Sequence, residues 1–284
     1  MWRLVCISIV LVASAPWRSV LAQPAAVAEI EITSDVVLPM HLEAARESIV
    51  YTDASKQQRL ELDEQPIFAW TNPRRSAGQS GHIFLWKLGN RPLAVCTVFS
   101  FAQGSPTTRR IVHEWHSLSE STLFIMQGEK PSPWRPRTGI KFELMPGVGD
   151  AGPSALNQRR EAQAITKQLD VHSIDPDGQR WPLRVLSKPL ATYETEGGLG
   201  FLIAWAGDAG NDPEMLMLLE TRKKADAAQW VFSPIRMTDH ELFVEKQKQL
   251  LWESVRTDVD TRYYNAPRTY FRAQGKTIQL NVTP

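Results

Sequence analysis

The chain has 284 residues, with 32 Lys and Arg against 31 Asp and Glu, for a formal net charge of +1. So even a balance gives no electrostatic footprint for nucleic acid or for an acidic membrane surface, and neither is expected as a partner. Its two cysteines, Cys6 and Cys96, fall to one if the N-terminus is removed, and one cysteine cannot form an internal disulfide.

Residues 1–22 read as an export signal. Arg3 supplies a positive start, "LVCISIVLVASA" (4–15) a short apolar run, and "VLA" (20–22) a cleavage site after Ala22. The apolar run is too short for an ordinary membrane-spanning helix, and no later run reaches that length. Cleavage would leave 262 residues and, with Arg3 and Arg18 gone, a net charge of −1. The expected mature protein is exported, periplasmic or extracellular, with no transmembrane segment.

Residues 23–39 read as a leader segment. A single α+β domain is expected over 40–256, with possible halves at 40–150 and 154–256, followed by a C-terminal tail at 257–284. Residues 40–59 have helical character, with Leu42, Ala45 and Ile49 near one face. In 60–73, Leu60 and Leu62 alternate with polar residues as in a strand, and Pro66 makes that strand an edge or divides it. "HIFLWKLGNRPLAVCTVFSF" (82–101) reads as a β-hairpin, because Gly89 and Asn90 accept positive φ between two β-rich runs. A further strand is expected at 109–117, then a turn into "TLFIMQ". Residues 130–153 are rich in Pro and Gly and read as loop around a short strand at 140–144. The best helix is 154–169, capped by Ser154. Strands follow at 180–187, 200–206, 214–222, 229–237 and 241–252. Contiguous hairpins without βαβ alternation predict a β-rich antiparallel α+β fold with two helices.

The two halves echo each other. "QPIFAWTNP" (65–73) aligns with "KPLATYETE" (188–196), and "GHIFLWKLGNRPLAVCTVFSF" (81–101) with 199–220, which superposes Trp86 on Trp205 and Pro92 on Pro213. "IVHEWHSLSESTLFIMQ" (111–127) overlies "WVFSPIRMTDHELFVEK" (230–246) without a gap. Agreement of element order, turns and these matches predicts two related α+β half-units.

"QPIFAWTNP", "MLMLLETR" and "QWVFSPIRMT" resemble segments of a family of exported proteins, without an assigned activity, associated with planctomycete-type bacteria. The resemblance runs from about 60 to 254. It implies an exported protein and carries over no site residue.

Within "RIVHEWHSL", His113 and His116 are three apart. On a strand they point to opposite faces and cannot bind one metal, even with His82 as a third ligand, so no metal site is expected. Glu114 and His116 share a face and form the candidate acid–base pair. Trp134, in a Pro-rich loop beside Arg135 and Arg137, is the candidate ligand contact, with a core plug as the alternative. Cys96 lies in an apolar strand and reads as a buried, inert thiol. "GGLGF" (197–201) lacks the helix and lysine of a phosphate cradle, and no "GxSxG", "SxxK" or paired-cysteine spacing occurs, so no cofactor is expected. The expected function is a non-catalytic binding or structural protein. The alternative is a cofactor-independent hydrolase or isomerase that uses Glu114 and His116.

Overall fold

The computed structural model describes residues 33–72, 78–134, 136, 139–208, 210–225, 227–255 and 269–281. The expected export signal and most of the leader lie outside these residues, as do Arg135 and Arg137.

Helix α1 (Ser34–Arg46) starts within the expected leader and ends before the strand β1 (Ser48–Tyr51). Pro39 lies inside this helix, yet it removes only one i→i−4 bond. The buried stripe Val37, Met40, His41, Ala44 and Ala45 holds the helix on a sheet. After β1 come β2 (Glu61–Leu62), β3 (Phe68–Asn72), β4 (Gln79–Leu88), β5 (Arg91–Gln103), β6 (Ser105–Ser117), β7 (Phe124–Gln127) and β8 (Lys130–Pro131). A linker strand, β9 (Glu143–Leu144), precedes helix α2 (Ala155–Thr166), where Ser154 accepts the Asn157 N–H as the expected cap. The series then recurs as β10 (Leu169–Ile174), β11 (Arg180–Val185), β12 (Ala191–Thr195), β13 (Gly198–Ala206), β14 (Pro213–Lys224), β15 (Ala227–Arg236), β16 (Glu241–Lys246) and β17 (Gln249–Ser254). β18 (Tyr270–Gln279) ends the described chain, so the tail docks on the body. The expected strand 241–252 is a hairpin, because Gln247 (φ 52°) and Lys248 (φ 66°) form its turn without a glycine to mark it.

The fold is α+β and built of two half-units, each a helix against a curled antiparallel sheet. The match extends to register. β4, β5 and β6 form an antiparallel meander, as do β13, β14 and β15. A bulge follows Trp86 opposite Pro92, and another follows Trp205 opposite Pro213. Trp70 pairs with Gly81 and Tyr193 with Gly200, each aromatic ring covering its glycine so closely that a Cβ would lie 2.5 and 2.4 Å from it. Backbone bonds recur too: Ile67 N–H to Ile83 at 2.8 Å matches Leu190 N–H to Leu202 at 2.7 Å. β1 pairs with β7 as β10 pairs with β16, with Val50 opposite Ile125 and Val171 opposite Val244.

The layers run helix, sheet, sheet, helix. Phe84, Trp86, Cys96 and Ile111 pack toward α1. Phe201, Trp205, Met217 and Phe232 pack toward α2. The opposite faces meet in a third core, where Ile83, Leu85, Val95 and Val112 touch Leu202, Leu216, Leu218 and Ile235. Strands covered on both faces carry continuous apolar runs, which is why "HIFLW" and "FLIAWA" do not alternate. Each half-unit also receives an edge strand: β9 extends β15, and β18 extends β6. Among the described residues no helix is long and apolar enough to cross a membrane.

Candidate functional site

Alternation along β6 sends Ile111, His113 and Trp115 toward α1. It sends Val112, Glu114 and His116 the other way. The two histidines thus take opposite faces, and among the described residues no group of three or more His, Cys, Asp or Glu is placed to hold a metal. Glu114 and His116 do share a face.

β18 runs antiparallel to β6 and sets Tyr270 opposite His116 and Arg272 opposite Glu114. The Tyr270 hydroxyl donates to Glu114 Oε1 at 2.9 Å, and Arg272 Nε lies 3.7 Å from the same oxygen. Burial, then the Glu114 charge, holds the Tyr270 phenol well above its ordinary range. Arg236 lies over the Tyr270 ring at 5.5 Å. Beside this group is a cleft of about 620 Å³ between the half-units, lined by His116, Lys141, Ser233, Arg236, Ser254 and Tyr270 among others.

His116 Nδ1 is 2.6 Å from the Ser117 carbonyl, which can only accept, so the imidazole carries its proton on Nδ1. Nε2 is then a fixed acceptor. Burial, reinforced by Arg236, lowers the His116 pKa to about 4. A general base works best near the operating pH, so this imidazole suits hydrogen-bond acceptance more than proton abstraction. Glu114 is held by Tyr270 and Arg272. The pair therefore has the shared face that the sequence predicts, but His116 lacks the pKa of a working base.

Trp134 is not presented to ligand. It is 0% exposed, with its ring 5.6 Å from Trp115 and stacked 6.4 Å from Phe271. It extends a row that begins with Trp86 and Trp115, 4.5 Å apart. Apolar burial of so large a ring, worth roughly 3 kcal/mol, outweighs what a loop position alone suggests. Its surroundings are those of a ring packed in the core. Cys96 is fully buried, and burial pushes its thiol well up.

One polar group was not legible in the sequence. His41 on α1 and His82 on β4 meet at Nδ1 to Nδ1, 2.9 Å apart. Arg109 Nε donates to Ser100 Oγ at 3.3 Å, and a guanidinium can only donate. The Ser100 hydroxyl is then free to donate to His41 Nε2 at 3.0 Å, His41 Nδ1–H to His82, and His82 Nε2–H to Ser34 Oγ at 3.0 Å. All donors point one way along this chain, which strengthens each bond. Burial, then the charges of His82, Arg109 and His113, holds His41 well below its ordinary value. Burial takes His82 to about 4. The positions that match His41, His82 and His113 in the second half-unit are Ala162, Phe201 and Phe232, all in its apolar core. The repeat alignment could have flagged His82 and His113 as departures from a core pattern, but it does not reach His41.

Comparison of the chain with protein-family models, with curated proteins and with solved structures finds no match.

Proposed function

We propose that this is an exported, non-catalytic binding protein that holds a small molecule in the cleft between its half-units. The observation that carries the reading is His116: neutral, fixed in tautomer by Ser117, and lining a cleft large enough for a ligand. Nε2 would accept a hydrogen bond from the ligand. The cations of Lys141 and Arg236 and the hydroxyls of Ser233 and Ser254 supply donors around it. The engaged Glu114 and the low pKa of His116 weigh against acid–base chemistry. The signal-like sequence of residues 1–22 supports export, as does the resemblance to exported proteins.

A thermal-shift panel of small polar molecules tests the reading. A ligand of the cleft should raise the melting temperature in proportion to its occupancy. His116→Ala should weaken that ligand's binding by about tenfold, the loss of one buried hydrogen bond. Equal binding by wild type and His116→Ala would remove His116 from the site.

A further inference from the structure

The two half-units differ most beneath their helices. In the first, α1 turns Leu38, His41 and Leu42 toward the sheet, where His41 reaches His82 and Leu38, Leu42 and Leu62 pack against the core. In the second, the matching stripe of α2 reads Arg159, Ala162 and Gln163, and Phe201 replaces His82. Ala162 is too short to fill the space that His41 fills. A cavity of about 270 Å³ remains, walled by Ala162, Thr166, Val185, Leu186, Phe201 and Ile203.

The walls are mainly apolar, with Gln163, Thr166 and Ser187 adding polar groups, while the rim is cationic. Arg159 on α2 and Lys167 at its C-terminal cap border the cavity from exposed positions, eight residues apart. Neither residue makes an ion pair or side-chain hydrogen bond among the described residues. An apolar slot with unpaired cations at its mouth is complementary to an amphiphile with an anionic end. At ~30 Å³ for each water-sized unit, the cavity holds roughly nine, about the size of a medium-length alkyl chain.

We propose that the second half-unit is a binding site for a free medium-chain carboxylic acid, its chain beneath α2 and its carboxylate between Arg159 and Lys167. The site shares no lining residue with the His116 cleft, so either can fail without the other.

Calorimetric titration of the full chain with decanoate tests it, with decan-1-ol as the neutral probe. Wild type should bind decanoate. Ala162→Phe, which fills the cavity, should weaken binding by at least about tenfold. Should that variant fold poorly by circular dichroism, the exposed pair Arg159→Glu/Lys167→Glu keeps the test sharp. It should weaken decanoate about tenfold while changing decan-1-ol by less than about twofold. His116→Ala should leave decanoate binding unchanged. No decanoate binding by wild type, or binding indifferent to the charge reversal or to Ala162→Phe in a folded variant, would overturn the proposal. So would loss in His116→Ala, because it would place decanoate in the cleft.

Discussion

Lowering the pH from 7 to 5 is expected to destabilise the protein by several kcal/mol. His82 and His116 both have folded pKa values of about 4, depressed by burial from an ordinary 6.5. A depressed histidine binds its proton more readily in the unfolded chain. Stability is therefore fully present above about pH 6.5 and is lost as pH falls from there toward 4. Each of the two contributes about 2 kcal/mol of loss by pH 5. His41 and His113 are lowered in the same direction, chiefly by burial, and add to it. For His82 the Asp35 carboxylate partly opposes the burial effect. Against a total stability of roughly 5–15 kcal/mol, the loss should bring the chain close to unfolding. Urea titrations at the two pH values measure it directly. The double variant His41→Ala/His82→Phe installs the residues of the matching second-half positions and should remove roughly half of the pH dependence. An unchanged slope in that variant would show that these histidines do not carry it.

Replacing both Arg91 and Arg222 by alanine is expected to destabilise the fold by about 3–5 kcal/mol at neutral pH. Glu220 is 0% exposed and receives Arg91 at 2.9 Å, Arg222 Nε at 3.0 Å and the Tyr193 hydroxyl at 2.7 Å. Arg91 comes from β5 of the other half-unit. Arg222 reaches back to Glu120 of that half at 2.8 Å. Removing the cations strands a buried carboxylate, which costs more than the ion pairs contribute. Adding Glu220→Gln to the double variant should restore part of the loss, because it takes away the stranded charge. Denaturant midpoints of the three proteins decide it, and a loss under about 1 kcal/mol would mean that water already screens the carboxylate. The positions that match Glu220 and Tyr193 in the first half hold Phe99 and Trp70, an apolar pair 5.6 Å apart. The repeat thus accepts either an aromatic contact or an ionic network at one place.

The repeat was legible because it rests on short-range signals. Trp86 and Trp205 each precede a bulge, Pro92 and Pro213 sit opposite, and the turns recur at matching places. The hairpin at 82–101 was marked by Gly89, which does take φ 57°. The hairpin at 241–254 was missed because Gln247 stands where Gly128 stands in the first half, and both take positive φ. The sequence reading places helical character at 40–59, whereas α1 runs Ser34–Arg46 with Pro39 inside it, and the one backbone bond that Pro39 removes is offset by burial of the helix face. Trp134 and the His41–His82 contact depend on partners far away in sequence, Phe271 for the one and a strand 41 residues on for the other. No local pattern encodes such partners. For Glu114 and His116, strand alternation gave the shared face. It could not supply Tyr270 and Arg272, which arrive on the tail.

The choice between binding and acid–base chemistry turns on one imidazole. Nitrogen-15 NMR of histidine-labelled protein, followed from pH 8 down to pH 5, reads the protonation of His116 directly. The account predicts a neutral ring with its proton on Nδ1 across that whole range, since its pKa is about 4. A titration midpoint near 7, where a general base would be tuned, would contradict it.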